Sequence, residues 1–271
     1  MIDATSAGIR DHGGDPTGAP PLCHWRLIVD DRGRGGAENM AVDTALLRAV
    51  RSGHGFLRLY RWDPPCLSFG RHEPALRRYD RTRVEAAGIQ VVRRPTGGRA
   101  VWHHAEVTYA VAAPADVFGS LQQAYITIHH MLAAALRSLG ASVAVAPRRS
   151  PVRPAAGACF ATPVGGEIVF QGRKLVGSAQ YREPRGFLQH GSILLDNQQD
   201  MVVRVERTRG PAVPATSLRE VLGRPVPFRE VAAAVAATAR RSWEGPWTET
   251  PHTPASIDVD AYRNPGWTWR R

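Results

Sequence analysis

The sequence contains a single lysine, Lys174, beside thirty-four arginines in a chain of 271 residues. Cysteine is also scarce, and Cys23, Cys66 and Cys159 form no close pair, which argues against a disulfide framework and a CxxC-type metal motif. No stretch approaches the ~18 consecutive apolar residues of a membrane span. The polar first residues also lack the apolar segment of a signal peptide. These absences favour a protein of the reducing cytoplasm that does not enter a membrane.

The overall composition is that of a globular protein, with 43% hydrophobic and 22% charged residues. The formal net charge of +11 favours acidic partners. The arginines are dispersed, and the sequence has no RNP-type aromatic pattern, zinc-finger spacing or basic helix, so a nucleic acid is not expected as the partner. An acidic carrier protein fits this charge.

The pattern of elements predicts an α+β fold in which a mixed β-sheet is flanked by helices, because strands and helices intermix without regular βαβ alternation. Residues 1–24 are predicted to be a flexible leader, 25–245 a single domain and 246–271 a Pro- and Trp-rich tail. Apolar spacing predicts helices at 37–51, 82–87, 120–139 and 228–243. Short alternating or apolar runs predict strands at 25–30, 56–62, 66–69, 90–94, 107–113, 142–146, 167–170, 174–181 and 187–195.

The segment from Arg93 to His103 carries the strongest local motif. A predicted strand delivers Arg93 and Arg94 into Thr96-Gly97-Gly98, where the glycine backbone can approach a ligand closely. Exposed N–H groups in such a turn can bind a carbonyl or a phosphate. A glycine pair alone is weak evidence, since a plain turn explains it equally well, and the GxxxxGK[ST] spacing of a Walker loop is absent.

Four ordered blocks resemble the lipoate/biotin protein ligase superfamily, which contains lipoate-protein ligases, octanoyltransferases and lipoyl amidotransferases. The Arg93–His103 segment continues into Glu106-Val107-Thr108-Tyr109 as in that superfamily. The other blocks are Asn39–Asp43, the Trp62–Gly70 strand pair, and Gly172–Gln180 together with Gln189–Leu195. The match runs from about residue 25 to 200 and implies the catalytic-domain fold of this superfamily for residues 25–245.

The resemblance also implies site residues. Lys174 matches the lysine that reaches the acyl carbonyl or the acyl-adenylate in this superfamily, and an ammonium there can stabilise an oxyanion. The implied substrate-binding residues are Arg93, Arg94, Thr96, Gly97, Gly98, His103, Gly177, Ser178, Ala179, His190 and Gly191. His103 and His190 could border the acyl pocket, assist proton transfer or be structural. His104 departs from the family pattern, and no function is assigned to His129. No His, Cys and Asp cluster has metal-ligand spacing, so no metal is expected.

Cys159 is the predicted nucleophile. Gly157–Pro163 resembles the Cys-Phe-x-x-Pro segment of one octanoyltransferase branch, and nearby arginines would lower the pKa of its thiol. A lone cysteine is more often a small buried hydrophobic residue, and Cys66, within an apolar strand, fits that interpretation. Cys23 lies in the predicted leader without an evident partner.

The resemblance therefore implies a cysteine-dependent octanoyltransferase of lipoate assembly. Its donor would be octanoyl-acyl carrier protein, and its acceptor a lysine of a lipoyl domain or of the glycine-cleavage H protein. No cofactor is expected for this reaction. Three alternatives stay open at this point: an ATP- and magnesium-dependent lipoate-protein ligase, an amidotransferase between lipoylated proteins, and a non-catalytic acyl- or nucleotide-binding relative.

Overall fold

The computed structural model describes residues 22–147, 165–208, 210, 213–251, 253–254 and 256–270. Within these ranges the chain forms two sheets and several helices. Eleven strands are described: β1 His24–Arg34, β2 His54–Trp62, β3 Cys66–Phe69, β4 Gln90–Arg93, β5 Val101–His103, β6 Glu106–Pro114, β7 Ala144–Val145, β8 Ile168–Phe170, β9 Arg173–Glu183, β10 Gly186–Leu194 and β11 Trp247–Glu249.

The same residues form nine helices, of which α1, α4 and α7 exceed ten residues. The helices are α1 Gly36–Ala49, α2 Ala75–Arg78, α3 Arg81–Ala86, α4 Leu121–Ser138, α5 Asp200–Arg204, α6 Leu218–Leu222, α7 Phe228–Ser242, α8 Asp260–Arg263 and α9 Pro265–Thr268.

The larger sheet is mixed, as the sequence predicted. In the described residues its strand order is β11-β1-β2-β6-β10-β9-β8-β7, and a smaller sheet has the order β4-β3-β5. Strand β1 pairs in parallel with β2 and β11, whereas β2, β6, β10 and β9 pair antiparallel. The predicted α+β fold with a mixed sheet flanked by helices is confirmed.

Strand β2 shows why both faces of the large sheet are buried. Successive side chains of a strand point to opposite faces. Leu57 and Leu59 belong to the cluster that also contains α4 and α7, whereas Phe56, Tyr60 and Trp62 pack with α1. The sheet therefore separates the α4–α7 layer from a second layer that contains α1, which also contacts the small sheet.

Helix α4 has clear start and stop signals, which explains why its bounds were predictable. The hydroxyl of Ser120 accepts the Gln123 backbone N–H, and the Gln123 side chain accepts the Ser120 N–H, a capping box. Gly140 follows the helix with a φ of 93°, a conformation that favours glycine. This helix carries His129 to the sheet, beside β9.

The C-terminal region differs from the simple tail of the prediction. Residues Trp247–Glu249 add a parallel edge strand to β1, and α8 and α9 pack near α1 and β4. The short strand β5 and the short helices α2, α5 and α6 were not predicted either. Strand β7 is two residues long, where the sequence predicted 142–146.

Candidate active site

A cavity lies between the two sheets and is the candidate acyl site. It contains about 360 Å³ of space free of atoms, part of it open to solvent. Seven of the predicted substrate-binding residues line it: Arg94, His103, Gly177, Ser178, Ala179, His190 and Gly191. The lining is completed by Met40, Tyr60, Trp62, Ser68, Val101, Thr108 and Ser192.

Small residues on β9 and β10 make room for this cavity. Gly191 lies opposite Ser178, and Ser192 lies opposite Gly177, in the antiparallel register of the two strands. A Cβ atom at Gly191 would lie 2.4 Å from the Gly177 carbonyl oxygen and 2.5 Å from the Ser178 hydroxyl. Glycine is therefore required at 191 by close packing of the two strands.

Arg94 and Gly70 support the Gly97-Gly98 turn through direct contacts. The Arg94 guanidinium donates to the carbonyl oxygens of Gly97 and Arg99, at 2.8 and 2.7 Å. A Cβ atom at Gly70 would lie 1.9 Å from the Gly98 carbonyl oxygen, so the two backbones are in direct contact. The N–H groups of Gly97 and Gly98 donate no hydrogen bond to any described residue. These two N–H groups can donate hydrogen bonds to a ligand oxygen.

His190 is fixed at both ring nitrogens. Its Nδ1 lies 2.9 Å from the Asp43 carboxylate, and its Nε2 lies 2.7 Å from the Thr96 hydroxyl. Burial lowers the pKa of His190 despite the opposing effect of Asp43. Burial by itself would raise the pKa of Asp43, but the His190 hydrogen bond and the charge of Arg58 outweigh it and lower that pKa. A neutral His190 therefore donates from Nδ1 to the Asp43 anion and accepts the hydroxyl hydrogen of Thr96.

His103 forms a second carboxylate–histidine–hydroxyl chain. Its Nδ1 lies 2.8 Å from Glu106, and its Nε2 lies 2.7 Å from the Ser68 hydroxyl. The Glu106 carboxylate also accepts the Ser192 hydroxyl at 2.9 Å. The Trp62 ring stacks on the imidazole at 3.9 Å between centroids. These contacts fix the plane of the ring at the cavity wall.

Lys174 is buried on β9 and is not among the described residues that line the cavity. Its Nζ lies 2.5 Å from the Glu167 carboxylate. Nearby, His129 of α4 contacts the Ser178 hydroxyl at 2.7 Å. Burial, and next the positive charge of Lys174, lower the pKa of His129 to about 3, so this histidine is neutral at neutral pH.

Arg93 makes contacts of a different kind from Arg94. Its guanidinium is fully buried and donates to backbone carbonyl oxygens, among them those of Gly70, Glu73 and Thr268. These bonds connect β4 to the C-terminal segment that contains α9. A substrate contact through Arg93 stays a prediction, since these donors are already engaged.

Of the three cysteines, the structure describes Cys23 and Cys66. Cys66 is fully buried, as predicted, and burial raises the pKa of its thiol. Cys23 is also buried, next to the start of β1, and burial raises the pKa of its thiol to about 11. Neither is a candidate nucleophile, because the thiolate is the reactive form. Cys159 lies outside the described residues.

Residues 36–240 match the lipoyl protein ligase A/B catalytic domain family. The chain belongs to this family. Curated relatives include the octanoyltransferase LipM of Kyrpidia tusciae, which is 40% identical over 232 residues, covering 78% of this chain and 84% of that protein. The octanoyltransferase LipM of Symbiobacterium thermophilum is 37% identical over 275 residues and covers 92% of this chain and 99% of that protein. These relatives confirm the predicted octanoyltransferase branch of the superfamily.

Solved structures of the family share the fold of this chain. Protein Ta0514 of T. acidophilum, described as a lipoate protein ligase with bound lipoic acid, superposes with a TM-score of 0.73 at 20% identity. The superposition covers 91% of this chain and 99% of that one. A bipartite lipoate protein ligase of Thermoplasma acidophilum gives a TM-score of 0.70 at 18% identity, covering 92% of this chain and 96% of that one. At these identities the likeness confirms the catalytic-domain fold.

Sequence reasoning missed the carboxylates that hold the site together. Asp43, Glu106 and Glu167 each contact a predicted site residue, yet none of the three was predicted as a site residue. Asp43 and Glu106 stand inside the quoted family blocks, which was the available signal. The hydroxyl partner of His103, Ser68, also lies in such a block.

The described residues contain no cluster of three or more histidine, cysteine or acidic side chains that could hold a metal ion. In the same part of the chain, no helix is both long enough and apolar enough to cross a membrane.

Proposed function

We propose that this protein is an octanoyltransferase that carries the octanoyl group as a thioester on Cys159. The donor is octanoyl-acyl carrier protein, and the acceptor is a lysine of a lipoyl domain or of the glycine-cleavage H protein. The observation that carries the proposal is the 40% identity to an octanoyltransferase over 232 residues, most of both chains. The relatives named above support a protein acceptor, and the choice of donor and acceptor is part of the proposal.

The cavity between the sheets is the proposed site of the octanoyl chain. Apolar walls from Met40, Tyr60, Trp62 and Val101 offer the surface that an eight-carbon chain requires. The N–H groups of Gly97 and Gly98, in the turn that Arg94 of the cavity wall supports, can donate hydrogen bonds to the carbonyl oxygen of the bound acyl group.

The proposed reaction has two acyl transfers. The Cys159 thiol loses its proton to solvent, and the thiolate attacks the carbonyl carbon of the donor thioester. A new C–S bond forms to Cys159, the donor C–S bond breaks, and the departing carrier thiolate takes a proton from water. The uncharged amine of the acceptor lysine then attacks the same carbon, forms the amide, loses a proton to solvent and releases the Cys159 thiolate. Exchange between thioesters needs no ATP.

Lys174 and the glycine turn stabilise the negative oxygen that forms in each tetrahedral intermediate. The two histidines at the cavity wall support the turn in this proposal and do not transfer protons. His190 is neutral and has both ring nitrogens engaged, one of them with Thr96 of the turn itself. His103 is likewise engaged with Glu106 and Ser68.

The net positive charge of the chain fits the proposed donor. A net charge of +11 increases the rate of encounter with an acidic carrier protein more than it increases the final affinity. A cytoplasmic location for this reaction stays a prediction.

Intact-mass spectrometry after mixing the protein with octanoyl-acyl carrier protein, without ATP, tests the thioester intermediate. We expect one hydroxylamine-labile octanoyl adduct on the wild type and none on Cys159→Ala. The matched control is Cys66→Ala, which removes a buried thiol and should keep the adduct. An adduct that persists in Cys159→Ala, or no adduct in the wild type, overturns the proposed intermediate.

A further inference from the structure

The one lysine of the chain forms a buried ion pair. The Lys174 Nζ lies 2.5 Å from the Glu167 Oε1, and the two side chains are 1% and 4% exposed. Glu167 directly precedes β8, and Lys174 is the second residue of β9, so the β8–β9 hairpin places both groups. The pair is therefore built from a short stretch of chain whose geometry is fixed by strand pairing.

Among the described residues, two titratable side chains that interact electrostatically with this pair are uncharged at neutral pH. His129 of α4 has its pKa lowered to about 3 by burial and by the charge of Lys174. Tyr109 of β6 has its pKa raised by burial, and the charge of Glu167 raises it further. Arg173, next in the chain, pairs with Glu220 in a half-exposed ion pair at 2.7 Å. Glu167 therefore supplies a carboxylate at hydrogen-bond distance from the Lys174 ammonium, whereas Glu220 pairs with Arg173.

A buried lysine can serve acyl transfer in two forms. Without a partner, burial disfavours the charged form, and the resulting neutral amine can take a proton from a nucleophile. A carboxylate within hydrogen-bond distance favours the charged form, and the ammonium then acts as a fixed positive charge. The distance between Lys174 and Glu167 corresponds to the second case.

We infer that Glu167 is a positioning residue that keeps Lys174 protonated and fixes its ammonium group, so that Lys174 acts as a permanent cation and not as a proton acceptor. The inference about acyl transfer rests on the proposed function. The ammonium keeps all three protons throughout both transfers, and the thiol and amine protons go to solvent. In this inference Glu167 acts on the reaction through Lys174.

The single lysine allows a direct measurement of its charge. Protein labelled with ¹³C at the lysine Cε gives one resonance for the whole chain, and its chemical shift reports the charge of Lys174 at each pH. We expect the wild-type lysine to be charged at neutral pH. In Glu167→Gln we expect the titration midpoint of Lys174 to fall by about one pH unit or more. In Glu167→Asp we expect the midpoint to lie between those of the wild type and of Glu167→Gln.

Glu220→Gln is the matched control, because it removes a carboxylate from the neighbouring Arg173 and should leave the Lys174 midpoint unchanged. Thermal unfolding of each variant shows whether it folds. A wild-type lysine that is neutral at pH 7, or an unchanged midpoint in folded Glu167→Gln, overturns the inference. Where Glu167→Gln does not fold, the wild-type and Glu167→Asp titrations decide.

The pH dependence of kcat/KM for octanoyl transfer adds a catalytic readout. We expect the loss of activity at high pH to move to lower pH in Glu167→Gln and to be partly restored in Glu167→Asp. A lower rate with an unchanged pH profile contradicts the role proposed for Glu167. A wild type that transfers no octanoyl group overturns the proposed function, and the titration of Lys174 still decides whether Glu167 is its counter-ion.

Discussion

Buried polar residues, each with a specific partner, define the candidate site at the scale of single residues. His190 contacts Asp43, and His103 contacts Glu106. The second ring nitrogen of each histidine contacts a hydroxyl group. Burying a polar group without a partner is costly, so these contacts are required for folding as well as for shaping the cavity. His129 differs, because its Nδ1 is buried and makes no hydrogen bond of ordinary geometry to a described residue.

His129 makes the stability of the protein dependent on pH. Its pKa is about 3 in the folded protein, against an ordinary value of 6.5. Between these values the unfolded chain binds a proton that the folded protein does not. Stability is therefore complete above about pH 6.5 and falls on acidification, by up to about 1.4 kcal/mol per pH unit for this one proton. His190, with its lowered pKa, acts in the same direction.

We expect His129→Gln to reduce the dependence of the unfolding free energy on pH between about pH 6.5 and 4.5. Urea denaturation at several pH values in this range measures the unfolding free energy and its dependence on pH. His130→Gln is the control on the same helix, since His130 is exposed, contributes the smallest of the effects on the pKa of His129, and should change the dependence much less. Equal slopes for wild type and His129→Gln would show that His129 does not resist protonation.

Close contacts between backbones decide the shape of the site at the scale of strands and turns. The turn after β4 rests on the residue that follows β3, where Gly70 meets Gly98. On β10, Gly191 allows the strand to approach β9. Any side chain at these positions would push the turn or the strand away from the cavity.

Gly70→Ala should therefore destabilise the protein by roughly 1–3 kcal/mol, because its Cβ would overlap a backbone oxygen that cannot move independently. Gly97→Ala is the matched control in the same turn. No atom lies within 4 Å of a Cβ built there, and we expect a change within about 0.5 kcal/mol. Thermal or urea unfolding measures both. Equal effects of the two substitutions would contradict the contact between Gly70 and Gly98.

The long elements were predictable because their signals are local. Helix α4 has a capping box and a glycine stop, and β2 has apolar residues along its length. Strand β11 was missed because it has three residues and pairs with β1, more than two hundred positions away. The carboxylate partners were missed for a related reason. Asp43 meets His190 across 147 residues, and spacing along the chain does not encode such a contact.

At the scale of the whole molecule, the described residues form two sheets with the candidate acyl cavity between them, in a chain of net charge +11. The fold is shared with lipoate protein ligases at 18–20% identity, whereas the two octanoyltransferases named above are 37% and 40% identical to this chain. Because octanoyl transfer and lipoate ligation share this fold, the fold does not distinguish them. They differ in whether a side chain acts as the nucleophile and in whether ATP is required. The proposed octanoyl transfer predicts a cysteine nucleophile and no such requirement.

Transfer of octanoyl from acyl carrier protein to an acceptor lipoyl domain, followed by mass spectrometry of the acceptor in the absence of ATP, tests this prediction most directly. The proposed function predicts an octanoyl amide on one acceptor lysine with the wild-type protein and none with Cys159→Ala. An acceptor modified only when a free acid, ATP and magnesium are supplied, and equally well by Cys159→Ala, would contradict it and assign the protein to the ligases.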